Sequence, residues 1–180
     1  MLDGGMAAAG TLAFMRPVAG AARSSIKAMA IDEMSHALGS GAAQLIDLRP
    51  STAFRAGHIA QATWSIRPRI AAAFDRARKT IVLIADEPGI ADLAALDLRD
   101  VGATDIRMLT GDIARWRAAG VTVVATPDHP TDADCIDFLF FVYKRHEGDT
   151  EAARQYLAWE TSLLDQLDAQ ERGAFRLADL

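Results

Sequence analysis

The sequence predicts an α/β fold in which a mostly parallel sheet is covered by helices on both faces. Short β-branched and aliphatic runs of strand length alternate along the chain with segments of helical periodicity. Such alternation favours a parallel sheet, because each crossover helix packs onto a face of the sheet. The clearest unit is 80–102, where a buried strand (81–85) precedes a loop (86–89) and a helix (90–101).

Upstream of this unit the pattern predicts two strands and two helices. A first strand at 26–28 is followed by a helix at 32–38, which Gly39 and Gly41 end. The remaining predicted elements are a strand at 44–48, a turn at 56–58, and a helix at 66–79 with a basic last turn of Arg76, Arg78 and Lys79. Cations there suit the negative end of a helix dipole.

Downstream, the pattern predicts one more helical unit and then a helical tail. The predicted elements are a strand at 105–109, a helix at 112–119, a strand at 121–124, a linker at 126–131, an apolar segment at 134–146, and a helix that Thr150 caps and that runs to about residue 170. The apolar stripe of this tail needs a surface to pack against. Both its own domain and a second copy remain open, so a homodimer through the C-terminal helices is one expectation.

Composition excludes several classes of function. The net charge of −5 argues against a nucleic-acid or anionic-membrane binder, and no apolar run is long enough to span a bilayer. One cysteine, Cys135, excludes an internal disulfide and leaves no cysteine-based metal site. We expect a cytoplasmic protein with no cofactor and no metal, and we interpret the N-terminus as not a signal peptide, because Asp3 and Arg16 interrupt it.

The candidate site lies after the central strand, between Ala85 and Ala91. In an α/β sheet, ligands bind outside the carboxyl ends of the strands, where loops meet helix N-termini. This loop contains no cysteine, serine, histidine, lysine or arginine. It offers two carboxylates, a proline and a glycine, which do not form a nucleophilic centre.

Two further motifs resemble a known family. LIDLR (45–49) is followed by Phe54 and by Gly57-His58-Ile59, and LTGDIARWRAAGVTV (109–123) includes Trp116. Together they resemble the signature of the rhodanese-homology domain, a sulfurtransferase module. The resemblance implies a three-layer sandwich with a five-stranded, mostly parallel sheet.

The resemblance also implies a catalytic loop, C-x-x-G-x-R, directly after the central strand. Here Ala85 stands at the cysteine position, Pro88 at the glycine position and Ile90 at the arginine position. The degenerate loop is therefore Ala85, Asp86, Glu87, Pro88, Gly89 and Ile90. Alanine supplies no sulfur, the carboxylates repel an anionic donor, and Pro88 lacks an N–H for an anion-binding nest. The sequence predicts a rhodanese fold without rhodanese chemistry and no catalytic residue.

The other signature residues have a structural and a functional interpretation. Asp47 and Arg49 fit a structural ion pair better than a catalytic acid and an anion clamp. We interpret His58, beside Gly57, as a turn histidine bonded to nearby backbone rather than a base. With Trp116, these residues form the predicted structural signature.

Two interpretations also apply outside that signature. Cys135 fits an inert core thiol better than a displaced nucleophile. Asp86 and Glu87 fit solvated helix N-terminal charges better than a metal site or a general base.

The sequence predicts three parts: an N-terminal segment (1–25), a rhodanese-like domain (26–125), and a linker with a helical C-terminal extension (126–180). MLDGGMAA at the start resembles MLTGDIAR at 108–115. Chance similarity and a remnant of a preceding rhodanese repeat both remain open. The leading hypothesis is a catalytically inactive module that binds a protein partner or other rhodanese repeats and acts in regulation or scaffolding linked to sulfur metabolism. An active sulfurtransferase with non-standard residues is the alternative.

Overall fold

A five-stranded parallel sheet forms the centre of the protein. The computed structural model describes residues 26–168, 170 and 171, so the predicted N-terminal segment lies outside the described residues. The strands are β1 (Lys27–Met29), β2 (Ala43–Asp47), β3 (His58–Ile59), β4 (Ala62–Trp64), β5 (Thr80–Ile84), β6 (Asp105–Leu109) and β7 (Val123–Val124). The order in the sheet is β1-β6-β5-β2-β4, and every pairing in it is parallel.

Helices cover both faces of this sheet. They are α1 (Ile31–Gly39), α2 (Ser51–Ala56), α3 (Ile70–Ala73), α4 (Pro88–Asp100), α5 (Ile113–Ala118), α6 (Phe140–Lys144) and α7 (Thr150–Ser162). Short 3₁₀ turns at Arg67–Arg69, Arg145–Glu147 and Leu163–Gln166 flank α3, α6 and α7.

Two apolar clusters lie on opposite faces of the sheet, because successive strand residues point to opposite sides. On one face Ile81 and Leu83 of β5 pack with Leu98 of α4. On the other, Val82 and Ile84 of β5 pack with Trp116 of α5. This arrangement confirms the predicted three-layer α/β sandwich.

Upstream of β5, one sequence prediction is wrong and two elements were not predicted. The predicted helix at 66–79 is only a 3₁₀ turn followed by the four-residue α3, so the basic run after Ala73 lies in a loop. The fifth strand of the sheet is β4, which the sequence pattern did not predict. Helix α2 was also not predicted.

Corrections also apply downstream. The predicted last strand does not join the sheet, since β7 pairs antiparallel with β3 in a separate two-stranded ribbon. The predicted cap Thr150 is the first residue of α7, and Asp149 caps the helix by accepting hydrogen bonds from the Glu151 and Ala152 N–H groups, each at 3.0 Å. The apolar segment at 134–146 is helical only in α6 and the 3₁₀ turn after it. Among the described residues, no helix is long and apolar enough to cross a bilayer.

Candidate functional site

The centre of the site is the point where β5 ends beside β2. The two strands are paired in register, with Ile84 opposite Asp47, and the Leu48 N–H donates to the Ile84 carbonyl at 2.8 Å. Ala85, which follows Ile84, and Arg49, two residues after Asp47, therefore lie at the same carboxyl edge of the sheet. That edge is where ligands bind in α/β folds.

The loop after β5 is shorter than the sequence predicts. Helix α4 begins at Pro88 rather than Ile90, because a proline at the first helical position lacks an N–H that would be unsatisfied there anyway. Gly89 and Ile90 therefore lie in the first turn of α4, and Glu87 takes the N-cap position without a side-chain capping bond. Only Ala85, Asp86 and Glu87 remain between strand and helix.

The side chains of this loop differ in exposure. Ala85 is half-buried, and residues 86–90 are exposed, with Ile90 at 38%. Within the described part of the chain, Asp86 and Glu87 make no hydrogen bond or ion pair that would neutralise them. Two free carboxylates thus lie at the N-terminus of α4, where the helix dipole favours negative charge.

A groove of about 270 Å³ lies beside the loop. Its lining residues come from the end of β5, from the segments that follow β2 and β5, and from α5 with the two residues before it. They are Arg49, Ile84, Ala85, Asp86, Gly111, Asp112, Ile113, Ala114 and Trp116. None of these lining residues carries a thiol, hydroxyl, amine or imidazole group. The side-chain charges in the groove are the carboxylates of Asp86 and Asp112 and the guanidinium of Arg49.

Arg49 is held in a buried ion pair. Asp47 is 0% exposed and Arg49 is 7% exposed, and Nη2 of Arg49 lies 2.6 Å from Oδ2 of Asp47. The same Nη2 donates to the Gly57 carbonyl at 2.8 Å, and the Arg49 backbone N–H donates to Oδ1 of Asp47 at 3.0 Å. The guanidinium carbon also lies 5.3 Å from the centre of the Trp116 ring. Because these contacts use Nε and Nη2 of the guanidinium, fewer N–H donors of Arg49 remain for an anionic ligand.

Gly57 and Trp116 connect this ion pair to α5. Gly57 has an extended backbone, and a Cβ at that position would lie 3.1 Å from Cδ1 of Ile113, so glycine permits the close approach of α5. Trp116 is 1% exposed, and its Nε1 has no hydrogen-bond partner within the described residues. Three of the predicted signature residues, Asp47, Gly57 and Trp116, are therefore in contact with Arg49.

His58 is buried in β3 and does not line the groove. It is 4% exposed, and its ring stacks on Phe54 with 3.6 Å between ring centres. Nδ1 lies 2.8 Å from the Phe54 carbonyl, which can only accept, so Nδ1 carries the proton. The histidine bonds to nearby backbone.

Cys135 is separate from the groove. It is 2% exposed, and its Sγ lies 3.7 Å from the Pro130 carbonyl. It lines a different cavity of about 400 Å³ formed by the C-terminal extension, which has no lining residue in common with the groove beside Ala85.

Sequence reasoning missed Arg55, which holds the C-terminal extension against the domain. Arg55 is 7% exposed and donates hydrogen bonds to the Pro130 carbonyl and, at 2.9 Å, to Oδ1 of Asp132. Its guanidinium carbon also lies 4.0 Å from the centre of the Phe140 ring. Burial raises the pKa of Asp132, but hydrogen bonds from Lys144 and Arg55 outweigh this effect and leave the pKa below its usual value.

Neither the described side chains nor the loop sequence provides a metal centre. No group of three or more histidine, cysteine, aspartate or glutamate residues within the described residues is placed to hold an ion. Asp86 and Glu87 are adjacent but have no third ligand beside them.

Comparison with known proteins identifies the family. The profile described as "Rhodanese-like domain" matches residues 30–119, which is half of the chain. A search of curated protein sequences found no match.

Solved structures show the same fold. A thiosulfate sulfurtransferase from Pseudomonas aeruginosa matches with a TM-score of 0.53 and 20% identity, over 79% of this chain and 27% of that one. The Alr3790 protein from Anabaena sp. matches with a TM-score of 0.46 and 20% identity, over 54% of this chain and 82% of that one. The BH2092 protein from Bacillus halodurans has a TM-score of 0.46 and 23% identity, over 56% and 78%. Because the family profile matches half of its length, the chain belongs to the rhodanese-like domain family.

Proposed function

We propose that this protein is a non-catalytic rhodanese-like module that binds a protein partner in sulfur metabolism. The observation that carries the proposal is Ala85, which follows β5 directly at the position of the family's nucleophilic cysteine. Persulfide chemistry requires a thiolate at that point. The groove beside Ala85 contains no thiol that could replace it.

The charges of the loop also oppose an anionic sulfur donor. At about 6 Å in water, two unit charges interact with roughly 0.7 kcal/mol, so two carboxylates facing a dianion cost about 3 kcal/mol before screening. Physiological salt reduces this cost by roughly half or more. Asp86 and Glu87 therefore weaken binding of thiosulfate by up to about 10-fold at physiological salt. Pro88 adds to this effect, since it offers no N–H to the anion.

The alternative is an enzyme that uses non-standard residues. Cys135 is a poor candidate, because it is 2% exposed and lines another cavity. Asp86 is exposed and faces the groove, so a hydrolytic reaction with this carboxylate as general base is the remaining enzymatic form of the hypothesis.

A second rhodanese-like domain is the partner that we favour. The fold of this chain matches 27% of a longer thiosulfate sulfurtransferase, and such a relation suits a module that works beside a catalytic domain. The proposal requires no cofactor. It places the module in a reducing compartment such as the cytoplasm, because its single cysteine forms no internal disulfide.

A thiosulfate:cyanide sulfurtransferase assay tests the missing chemistry. We expect no turnover by the natural protein and almost none by Ala85→Cys, since Asp86, Glu87 and Pro88 still oppose the donor. Adding Asp86→Asn and Glu87→Gln to Ala85→Cys is expected to raise activity by up to about 10-fold. Ala85→Ser with the same two neutral residues is the matched control and should stay inactive.

Two outcomes contradict the proposal. Turnover by the natural protein that is lost in Cys135→Ser identifies Cys135 as a displaced nucleophile. Turnover of an ester or anhydride substrate that is lost in Asp86→Asn supports the hydrolytic alternative.

A further inference from the structure

The basic run before β5 has no role in the domain's helices. Arg76, Arg78 and Lys79 would compensate a helix dipole if they ended a helix, but α3 ends at Ala73 and the run lies in the following loop. This loop leads into Thr80, the first residue of β5. It therefore lies at the amino edge of the sheet, about 16 Å of strand away from Ala85.

The run lines a cavity of about 500 Å³. The lining residues come from this loop, from β5 and from the turn after α4, and they are Phe74, Arg76, Arg78, Lys79, Ile81, Gly102, Ala103 and Thr104. Three of them are cations and none is a carboxylate. This concentration of positive charge stands out in a protein with a net charge of −5.

Two of the three cations are available to a ligand. Arg78 is held by Oδ2 of Asp75 at 3.0 Å and by the Gly41 carbonyl at 2.6 Å. Arg76 and Lys79 form no ion pair with any carboxylate in the described part of the chain. Both residues therefore line the cavity without a carboxylate partner among the described residues.

The position of Arg76 is set by contacts on two sides. Its guanidinium carbon lies 5.7 Å from the centre of the Phe74 ring. A Cβ on Gly102 would lie 3.4 Å from Nη1 of Arg76, and the φ of +103° at Gly102 also favours glycine. The guanidinium of Arg76 thus packs against the backbone of Gly102 at the edge of the cavity.

The carboxylate beside Thr104 is already bonded. Oδ2 of Asp105, next to Thr104, accepts from the Thr80 hydroxyl at 2.9 Å, and Oδ1 accepts from Nε of Arg107 at 2.6 Å. The last turn of α4 is closed by the Gly102 N–H to the Arg99 carbonyl and the Ala103 N–H to the Leu98 carbonyl, each at 2.9 Å. These bonds lessen the negative potential that a helix C-terminus would otherwise give.

We propose that this cavity binds the phosphate group of a small molecule. Arg76 offers a planar fork of donors that matches phosphate oxygens, and Lys79 adds a mobile point charge. The Thr104 hydroxyl is exposed at the rim and can donate a further hydrogen bond. The half-buried Phe74 offers an apolar surface that suits a ring or chain attached to the phosphate.

Isothermal titration calorimetry with inorganic phosphate, pyrophosphate and phenyl phosphate tests this site. We expect saturable binding by the full chain that weakens at least about fivefold in Arg76→Gln and in Lys79→Gln, and further in the double variant. Arg117→Gln, on the exposed side of α5, removes the same charge elsewhere and should leave the affinity unchanged. Tighter binding of phenyl phosphate than of inorganic phosphate indicates a phosphate ester, and equal binding indicates the free ion.

Two results overturn the proposal. One is the absence of saturable binding for all three probes. The other is binding that falls equally in Arg117→Gln and in the two cavity variants, because that pattern reports only the net charge. The site does not depend on the proposed function, since neither Arg76 nor Lys79 lines the groove beside Ala85.

Discussion

Replacement of Arg49 by methionine should strongly destabilise the domain. Asp47 is 0% exposed and would keep only the backbone N–H of residue 49 as a hydrogen-bond donor. Breaking a buried ion pair by removing one partner typically costs about 3–5 kcal/mol, because the other charge stays buried without compensation. The substitution also removes the hydrogen bond of 2.8 Å from Nη2 of Arg49 to the Gly57 carbonyl, and the cost given above includes this bond. For a domain of this size, the expected decrease in melting temperature is roughly 10–20 °C.

Urea unfolding followed by circular dichroism measures this change as a free energy of unfolding. Adding Asp47→Asn to Arg49→Met removes the buried charge, and it should recover at least about 2 kcal/mol of the lost stability. Arg117→Met removes an exposed arginine and should change the free energy by less than about 0.5 kcal/mol. If Arg49→Met stays within about 1 kcal/mol of the natural protein, the ion pair does not stabilise this edge of the sheet and the reasoning is wrong.

Three further predictions concern packing, pH and capping. Gly57→Ala should cost about 1–3 kcal/mol, since its Cβ would lie 3.1 Å from Cδ1 of Ile113, and adding Ile113→Ala should relieve part of this cost in the same unfolding assay. Because the pKa of Asp132 is lowered by its cationic partners, its stabilising contribution is present above about pH 4 and is lost as the pH falls through the lowered pKa. Lowering the pH should therefore increase the rate of proteolysis in the C-terminal extension more for the natural protein than for Asp132→Asn. An equal increase in the two proteins would contradict a stabilising role of the Asp132 carboxylate. Asp149→Ala should cost about 0.5–2 kcal/mol by removing the cap of α7, while Asp149→Ser should keep most of the stability.

The central part of the fold could be predicted from the sequence because its signals are local. The apolar run of β5 has strand length, and the Pro88-Gly89 pair marks its end. Helix α4 then shows apolar residues at helical spacing. The predicted helix started two residues late, since the proline was interpreted as a break and not as the first helical residue.

Elements that depend on distant contacts were missed. Strand β4 has three residues at the edge of the sheet, too few to show an alternating pattern. The ribbon of β3 and β7 joins residues far apart in sequence, and each strand is only two residues long. The six-residue α2 is shorter than two helical turns, so periodicity cannot reveal it.

The candidate site was only partly accessible to sequence reasoning. The absence of a nucleophile at Ala85 is a property of one position and can be stated from the sequence alone. The far wall of the groove, formed by Gly111 and Asp112, depends on how α5 packs against the sheet. The bonds from Arg55 to the C-terminal extension cross about 75 residues of sequence, and no local pattern indicates them.

Intact-protein mass spectrometry after incubation with thiosulfate tests the central claim most directly. The natural protein, Ala85→Cys and Cys135→Ser are compared under the same conditions. The account predicts no added sulfur atom on the natural protein, because Ala85 carries no thiol and Cys135 is 2% exposed. A persulfide mass on the natural protein that disappears in Cys135→Ser would contradict the account, since the chain would then carry sulfur on a residue outside the groove.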